Sequence, residues 1–262
     1  MKKCIVVCLL FAACSTNNIT GRKQFSIVPE NEMQSMALTQ YKDFLSTNRV
    51  IANSKDADMV KRVGNKIAAA ITQYYKSNNI ANNAVNYQWE FNLVDNKEIN
   101  AWCMPGGKVV VYSGLLGVTQ NETALAIVLG HEITHAVAGH GAERMSRLLA
   151  AQGIEVVGNI ALGNNPNARN IFNQVYPTGA QTIGVLPNSR TQEYEADKYG
   201  LIFAAIAGYN PQEAVVFWKR MAASSTGQKP PEFLSDHPSD ENRIKKLQES
   251  IPEALKYYKK SG

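Results

Sequence analysis

The chain has 262 residues, 45% of them hydrophobic and 19% charged, the composition of an ordinary globular protein that can bury a core without needing a second domain. Its formal charge is +5. That falls to roughly +3 once Lys2 and Lys3 are set aside with an export signal, too mild a balance to argue for nucleic acid. With no long basic run and no phosphate-cradling glycine motif, an evenly solvated surface is the reading that fits.

Lys2 and Lys3 lead into an apolar stretch, Cys4 to Ala13, that is too short to span a bilayer as a stable helix. It ends Leu-Phe-Ala-Ala-Cys, which resembles a bacterial lipoprotein signal in which residues 1–13 are removed and Cys14 is lipidated. Ser15 after that cysteine, by resemblance to known sorting rules, implies the outer membrane. A plain signal peptide cut near Ala13 is the alternative. Of the 4 cysteines only Cys103 then remains in the body of the protein, so no internal disulfide is expected. Cys103 has no neighbouring base in sequence and reads as a small buried hydrophobe. Residues 14–29 are polar and read as a tether between lipid and domain, with residues 30–262 as the domain itself.

Pro29-Glu30 opens a helical pattern to about Ser46, and a second from Asp56 to about Lys76 carries Met59, Val63, Ile67 and Ile71 on one stripe. Tyr87 to Val94 alternates Trp89, Phe91 and Leu93, the pattern of a half-buried strand. Ile99–Met104 and Lys108–Tyr112 flank Pro105-Gly106-Gly107 and predict a hairpin. If its last strand is an edge beside the following helix, it offers a main-chain rail for an extended peptide. Ser113 to Gln120 connects to an apolar helix starting near Thr123, with Thr119 or Asn121 as its cap. A further helix is expected from Ala142 to about Ala151, whereas residues 153–187 support no assignment beyond a flap over a cleft or a plain connector. Helices from Arg190 to about Ala207, from Asn210-Pro211 to about Ala223 and from Ser239 to Ser250 complete the chain.

His131-Glu132-Ile133-Thr134-His135 ends the apolar helix. Residues four apart on a helix sit about 40° round the axis and roughly 6 Å along it, so His131 and His135 form a two-toothed metal clamp. Glu132, between them, is placed to reach a water on a bound ion without being a ligand. A non-catalytic metal site is the competing reading. A catalytic zinc takes three protein ligands and keeps one position open. His140 would point about 140° away from His135 on a continuous helix, unless Gly139 breaks it. The spacing of the metzincin pattern fails, because Ala138 and Gly141 stand where its glycine and histidine belong. Glu193 and Asp197 share a helix face, whereas Glu195 faces elsewhere. One acid of that pair can bind the metal and the other can orient a ligand histidine; a solvated acidic face is the alternative.

His-Glu-x-x-His followed by Glu193-x-x-x-Asp197 resembles the gluzincin zinc metallopeptidase family that includes HtpX, the BepA and LoiP lipoproteins, Oma-type proteases and the CAAX prenyl endopeptidase. Further landmarks match in order: Thr20-Gly21-Arg22-Lys23-Gln24, Asn100-Ala101, Pro105-Gly106-Gly107-Lys108, His140-Gly141-Ala142-Glu143-Arg144, Ser189-Arg190, His237-Pro238 and Arg243-Ile244. Trp102-Cys103-Met104 departs from the smaller or aliphatic residues usual there, which bears on substrate preference. The resemblance implies an α+β, mainly α-helical, zincin-like metalloprotease domain with a small β-sheet beside the active-site helix. It implies one Zn2+ per chain on His131, His135 and Glu193, with Glu132 as catalytic base and Asp197 behind a ligand. It also makes His237 an extra ligand that can hold the enzyme quiet; an ordinary surface histidine is the alternative. His237 and Arg190 are the candidates for regulating the site or steadying an oxyanion.

The expected activity is endopeptidase cleavage of misfolded or unassembled outer-membrane proteins at the periplasmic face of the outer membrane, with an outer-membrane assembly machine as a candidate partner. The rivals are a periplasmic chaperone or assembly factor with a structural or His237-closed metal site, and a cell-wall amidase or peptidoglycan hydrolase.

Overall fold

The computed structural model describes residues 14–82, 84–153, 162–178, 189–224, 233–234, 237 and 241–259. Residues 1–13, expected to be a signal, and residues 154–161 and 179–187 of the unassigned stretch lie outside these residues. Helix α1 (Glu30–Thr47) starts after Pro29, and α2 (Lys55–Ser77) starts on Ser54, whose side chain accepts from the Ala57 N–H. The predicted stripe of α2 is buried at Val63, Ile67 and Ile71, but at its first turn Val60 is buried where Met59 was expected.

Four strands form the sheet: β3 (Val50–Ile51), β4 (Glu90–Val94), β5 (Ala101–Met104) and β6 (Lys108–Tyr112), in the order β3-β4-β6-β5. β5 and β6 are the expected antiparallel hairpin, with Cys103 opposite Val109 and Met104 opposite Lys108. Gly106 and Gly107 make its turn at φ of +83° and +81°, conformations that a side chain disfavours. The edge expectation is corrected. β6 returns between β4 and β5, pairing parallel to β4, so the edge strand is β5. All five residues of β6 are buried, the burial of a central strand covered on both faces. Val109 and Val111 face one core, with α2 and the helices described below; Val110 and Tyr112 face another, with α1.

α3 (Ser113–Thr119) leads to α4 (Glu122–Val137), capped by Asn121, whose side chain accepts from the Ala124 N–H. α4 is buried at every residue from Ala124 to Val137, as a helix apolar all round must be. Two polar elements within it, His131-Glu132 and Thr134-His135, therefore sit inside the protein. α4 stops at Ala138 because Gly139 takes φ +63°, and α5 (His140–Ala151) starts at once. A short 3-10 turn (Leu162–Asn164) and α6 (Pro166–Val175) follow, then α7 (Arg190–Ile206), α8 (Glu213–Ala223) and α9 (Glu241–Leu255). α7 packs on α4 through glycine at the crossing. A Cβ on Gly130 would stand 2.6 Å from the Gly200 carbonyl oxygen, so no larger residue fits without parting the helices. That contact brings the first turns of α7 against the histidines of α4.

The stretch read as a tether is instead docked on the domain. β1 (Cys14–Thr16) pairs with β2 (Lys23–Phe25), and Asn17, Ile19 and Gln24 are buried. Asn17 Nδ2 and Gln24 Nε2 both donate to the Ala138 carbonyl, at 2.7 and 3.0 Å, closing the C-terminus of α4. Polar composition there reflects helix capping by side chains, which looks like a linker when only the chain is read.

Candidate metal centre

α4 brings His131 and His135 side by side, α7 brings Glu193, and the segment before α9 brings His237; all four are buried and their ligand atoms lie within 4.8 Å of one another. His131 Nε2 is 3.1 Å from both His135 Nε2 and His237 Nδ1. The Glu193 oxygens stand 3.5 Å from His131 Nε2, 3.3 Å from His135 Nε2 and 3.1 Å from His237 Nδ1. Ligand atoms about 2.0–2.1 Å from a tetrahedral zinc lie about 3.3 Å apart, so this spacing fits such an ion. The protonation pattern agrees. His131 Nδ1 donates to Asp197 Oδ1 at 2.8 Å, which leaves a lone pair on the Nε2 that faces the cluster. Burial drives His131 and His135 below the ordinary histidine pKa, keeping both neutral as ligands must be. A cluster of inward lone pairs and a carboxylate is suited to a divalent cation.

Each partner is itself held. Asp197 accepts from Arg243 Nε and Nη2 at 2.7 and 2.8 Å, and Arg243 Nη1 lies 2.9 Å from Glu193 Oε2. Burial alone would raise the Asp197 carboxyl; the Arg243 charge outweighs it and holds the group below its ordinary value. Arg243 is 1% exposed, and its guanidinium stacks 3.7 Å from the centre of the Trp218 ring. Burial pulls His237 down as well, but the Glu193 and Glu132 charges carry it up to about 9. Glu132 Oε1 stands 3.3 Å from His237 Nε2.

Glu132, His135 and His237 line a cavity of about 60 Å³ together with β5 residues Ala101 to Met104 and with Tyr176. A larger cavity, about 600 Å³ between α1 and α6, contains none of the site residues. Cys103 is buried, without a disulfide, and burial pushes its thiol well up, in line with a hydrophobic role.

The structure thus brings together His131, Glu132, His135, Glu193, Asp197 and His237. It does not bring Arg190 into the cluster: that residue is exposed at the first position of α7, and the arginine against the carboxylates is Arg243. Sequence reasoning marked Arg243 only as a landmark. Its signal was a position six residues after His237, close enough for its Nη1 to donate to the His237 carbonyl at 3.0 Å. His140 and Glu195 stand outside the cluster, as their helical positions implied, but meet each other behind it. The break at Gly139 turns His140 back, so its Nδ1 meets His135 Nδ1 at 2.9 Å, and its Nε2 lies 3.0 Å from Glu195 Oε2.

A mainly helical domain with a small sheet, two histidines one turn apart on a buried helix and a glutamate from a second helix define a zincin-like metallopeptidase. The comparisons with known proteins are specific. The profile of peptidase family M48 matches residues 55–251, and the chain belongs to that family. It is 31% identical over 259 residues to Metalloendopeptidase OMA1, mitochondrial, of Bos taurus, covering 96% of this chain and 49% of the relative. To Mitochondrial metalloendopeptidase OMA1 of Schizosaccharomyces pombe it is 31% identical over 241 residues, 90% of this chain and 66% of the relative. To the Beta-barrel assembly-enhancing protease of Yersinia pestis it is 36% identical over 167 residues, 62% of this chain and 34% of the relative.

Proposed function

We propose that the protein is a zinc-dependent endopeptidase of the bacterial cell envelope that hydrolyses misfolded or unassembled outer-membrane proteins. His131, His135 and Glu193 hold the ion, Asp197 orients His131, and Glu132 is the general base. The observation that carries this reading is the position of Glu132, which lines the same cavity as His135 and His237 of the donor cluster and the edge strand β5. Bound zinc supplies Lewis acidity, polarising a carbonyl and acidifying a water. Glu132 takes the proton of the attacking water and returns it to the leaving amine. The side of β5 that pairs with no strand among the described residues would hold an extended peptide by main-chain hydrogen bonds, which favours an unfolded polypeptide over a small molecule or murein.

Lipidation at Cys14 would hold the domain at the periplasmic face of the outer membrane, and no helix among the described residues is long and apolar enough to cross a membrane. The name of the Yersinia relative, a β-barrel assembly-enhancing protease, supports outer-membrane assembly machinery as a partner. The test is casein cleavage by the zinc-loaded protein beside Glu132→Gln. Cleavage by the wild type alone, with zinc retained by both, is expected; equal cleavage by the two removes Glu132 from the reaction.

The position of His237 favours a second reading, in which a closed metal site serves a chaperone or assembly factor. Its Nδ1 completes the four-atom cluster where an open position is needed. His237→Ala separates the readings: faster casein cleavage indicates an enzyme closed by His237, slower cleavage indicates a group that steadies the oxyanion, and no cleavage with or without His237 favours the chaperone.

A further inference from the structure

The cluster has two histidines on α4, and the nitrogens that face away from it are satisfied differently. His131 Nδ1 meets a carboxylate directly. His135 Nδ1 meets another histidine, His140, which is fully buried, at 2.9 Å. Two neutral imidazole nitrogens at that distance share one proton, so one donates and the other accepts. With His135 Nε2 turned to Glu193 and the cluster, its proton sits on Nδ1 and is donated to His140 Nδ1. His140 then carries its own proton on Nε2 and donates it to Glu195 Oε2 at 3.0 Å. Glu195 is kept as an acceptor by Arg22, whose Nε and Nη2 reach its two oxygens at 2.7 and 3.1 Å. The hydrogen bonds from His135 to His140 and from His140 to Glu195 point outward from the cluster, and those of Arg22 point back onto the same carboxylate.

We propose that His140, Glu195 and Arg22 form a positioning relay that fixes the tautomer and ring orientation of His135, so that the N-terminal strap, β1 and β2 with the turn between them, is a working part of the metal centre. The inference rests on the reading of His135 as a ligand. Arg22 comes from the segment between β1 and β2, more than a hundred residues before its partners. Asn17 of the same segment and Gln24 of β2 close α4 at Ala138, three residues beyond His135. The strap therefore sets both the end of the helix and the far end of the hydrogen-bond chain. Outer partners of ligand histidines contribute to metal affinity by holding the ring and raising its basicity, and the charge on Glu195 is delivered here through a second imidazole.

Zinc affinity, read by competition with a chromophoric chelator, separates this proposal from the reading beneath it. His135→Ala is expected to lose zinc altogether; if it binds as tightly as the wild type, the ligand assignment fails. Given that loss, Glu195→Gln and Arg22→Gln are expected to weaken zinc about 10–100-fold while the metal-free thermal midpoint of Glu195→Gln stays near the wild type. Wild-type affinity in both variants overturns the relay. His140→Leu removes the link inside the core, and because it tests folding as well, the tautomers are read directly in the intact protein. Nitrogen-15 correlation spectra of the zinc-loaded wild type are expected to show a proton on His135 Nδ1 and on His140 Nε2. A proton on His140 Nδ1 overturns the proposal whatever the variants do.

Discussion

His131 and His135 lie one turn apart on the same helix, yet their surroundings differ in depth and in reach. Behind His131 stand Asp197 and Arg243, 5% and 1% exposed, with the Trp218 ring closing over the guanidinium. Behind His135 the chain runs outward through His140 to Glu195 and Arg22, whose side chains are 14% and 24% exposed. The inner side is a dry ion-pair network drawn from α7 and α9; the outer side is a longer, wetter one that borrows a residue from the N-terminal strap. Helical spacing alone makes the clamp, but tertiary structure decides how rigid each tooth is.

The largest effect that would break this comparison comes from Arg243→Leu. It leaves the Asp197 and Glu193 carboxylates buried together without their cation, and is expected to cost about 3–5 kcal/mol of folding stability in urea titrations. A loss no greater than that of a surface substitution would show that the inner network is not held by charge. Asp197→Asn keeps the shape and removes the charge, so zinc should weaken about 10–100-fold with little change in the fold, measured by chelator competition. On the outer side, Arg22→Gln should cost about 1–2 kcal/mol of stability, less than Arg243→Leu, because solvent reaches the pair.

The smallest effect is acid sensitivity of the strap. Burial raises the Glu143 carboxyl, but hydrogen bonds from Arg22 and Gln192, with the charges of Arg22 and Arg147, bring it below its ordinary value of 4.5. A lowered folded-state pKa stabilises the protein above the unfolded value, and that contribution is lost as pH falls through the folded one. Thermal midpoints of the wild type should therefore drop on acidification below about pH 4.5 more steeply than those of Arg22→Gln.

What was legible in the sequence follows the same division. The clamp, Glu132 and the Glu193–Asp197 pair follow from local helical period, and the structure brings them together. Asn121 and the Pro-Gly-Gly turn carry their own local signals and stand where expected. His140 lies outside the cluster as helical arithmetic implied, but the break at Gly139, noted as an alternative, turns its ring onto His135, which period alone does not give. Arg243 and Arg22 carry no periodic signal at all, since each is defined by a partner more than forty residues away. The hairpin was found, but which of its arms is the edge was legible only as a condition, because pairing to β4 is a long-range choice that the hairpin's own residues do not encode. The two-residue strand Val50–Ile51 is too short to leave a pattern.

The most direct measurement is X-ray absorption at the zinc edge on protein reconstituted with zinc and dialysed, with metal content determined on the same sample. The account predicts one zinc per chain in a shell of nitrogen and oxygen donors, with the outer scattering of at least two imidazoles, and no zinc retained by His135→Ala. A sulfur donor in the shell, or a wild-type protein that retains no zinc, would contradict it.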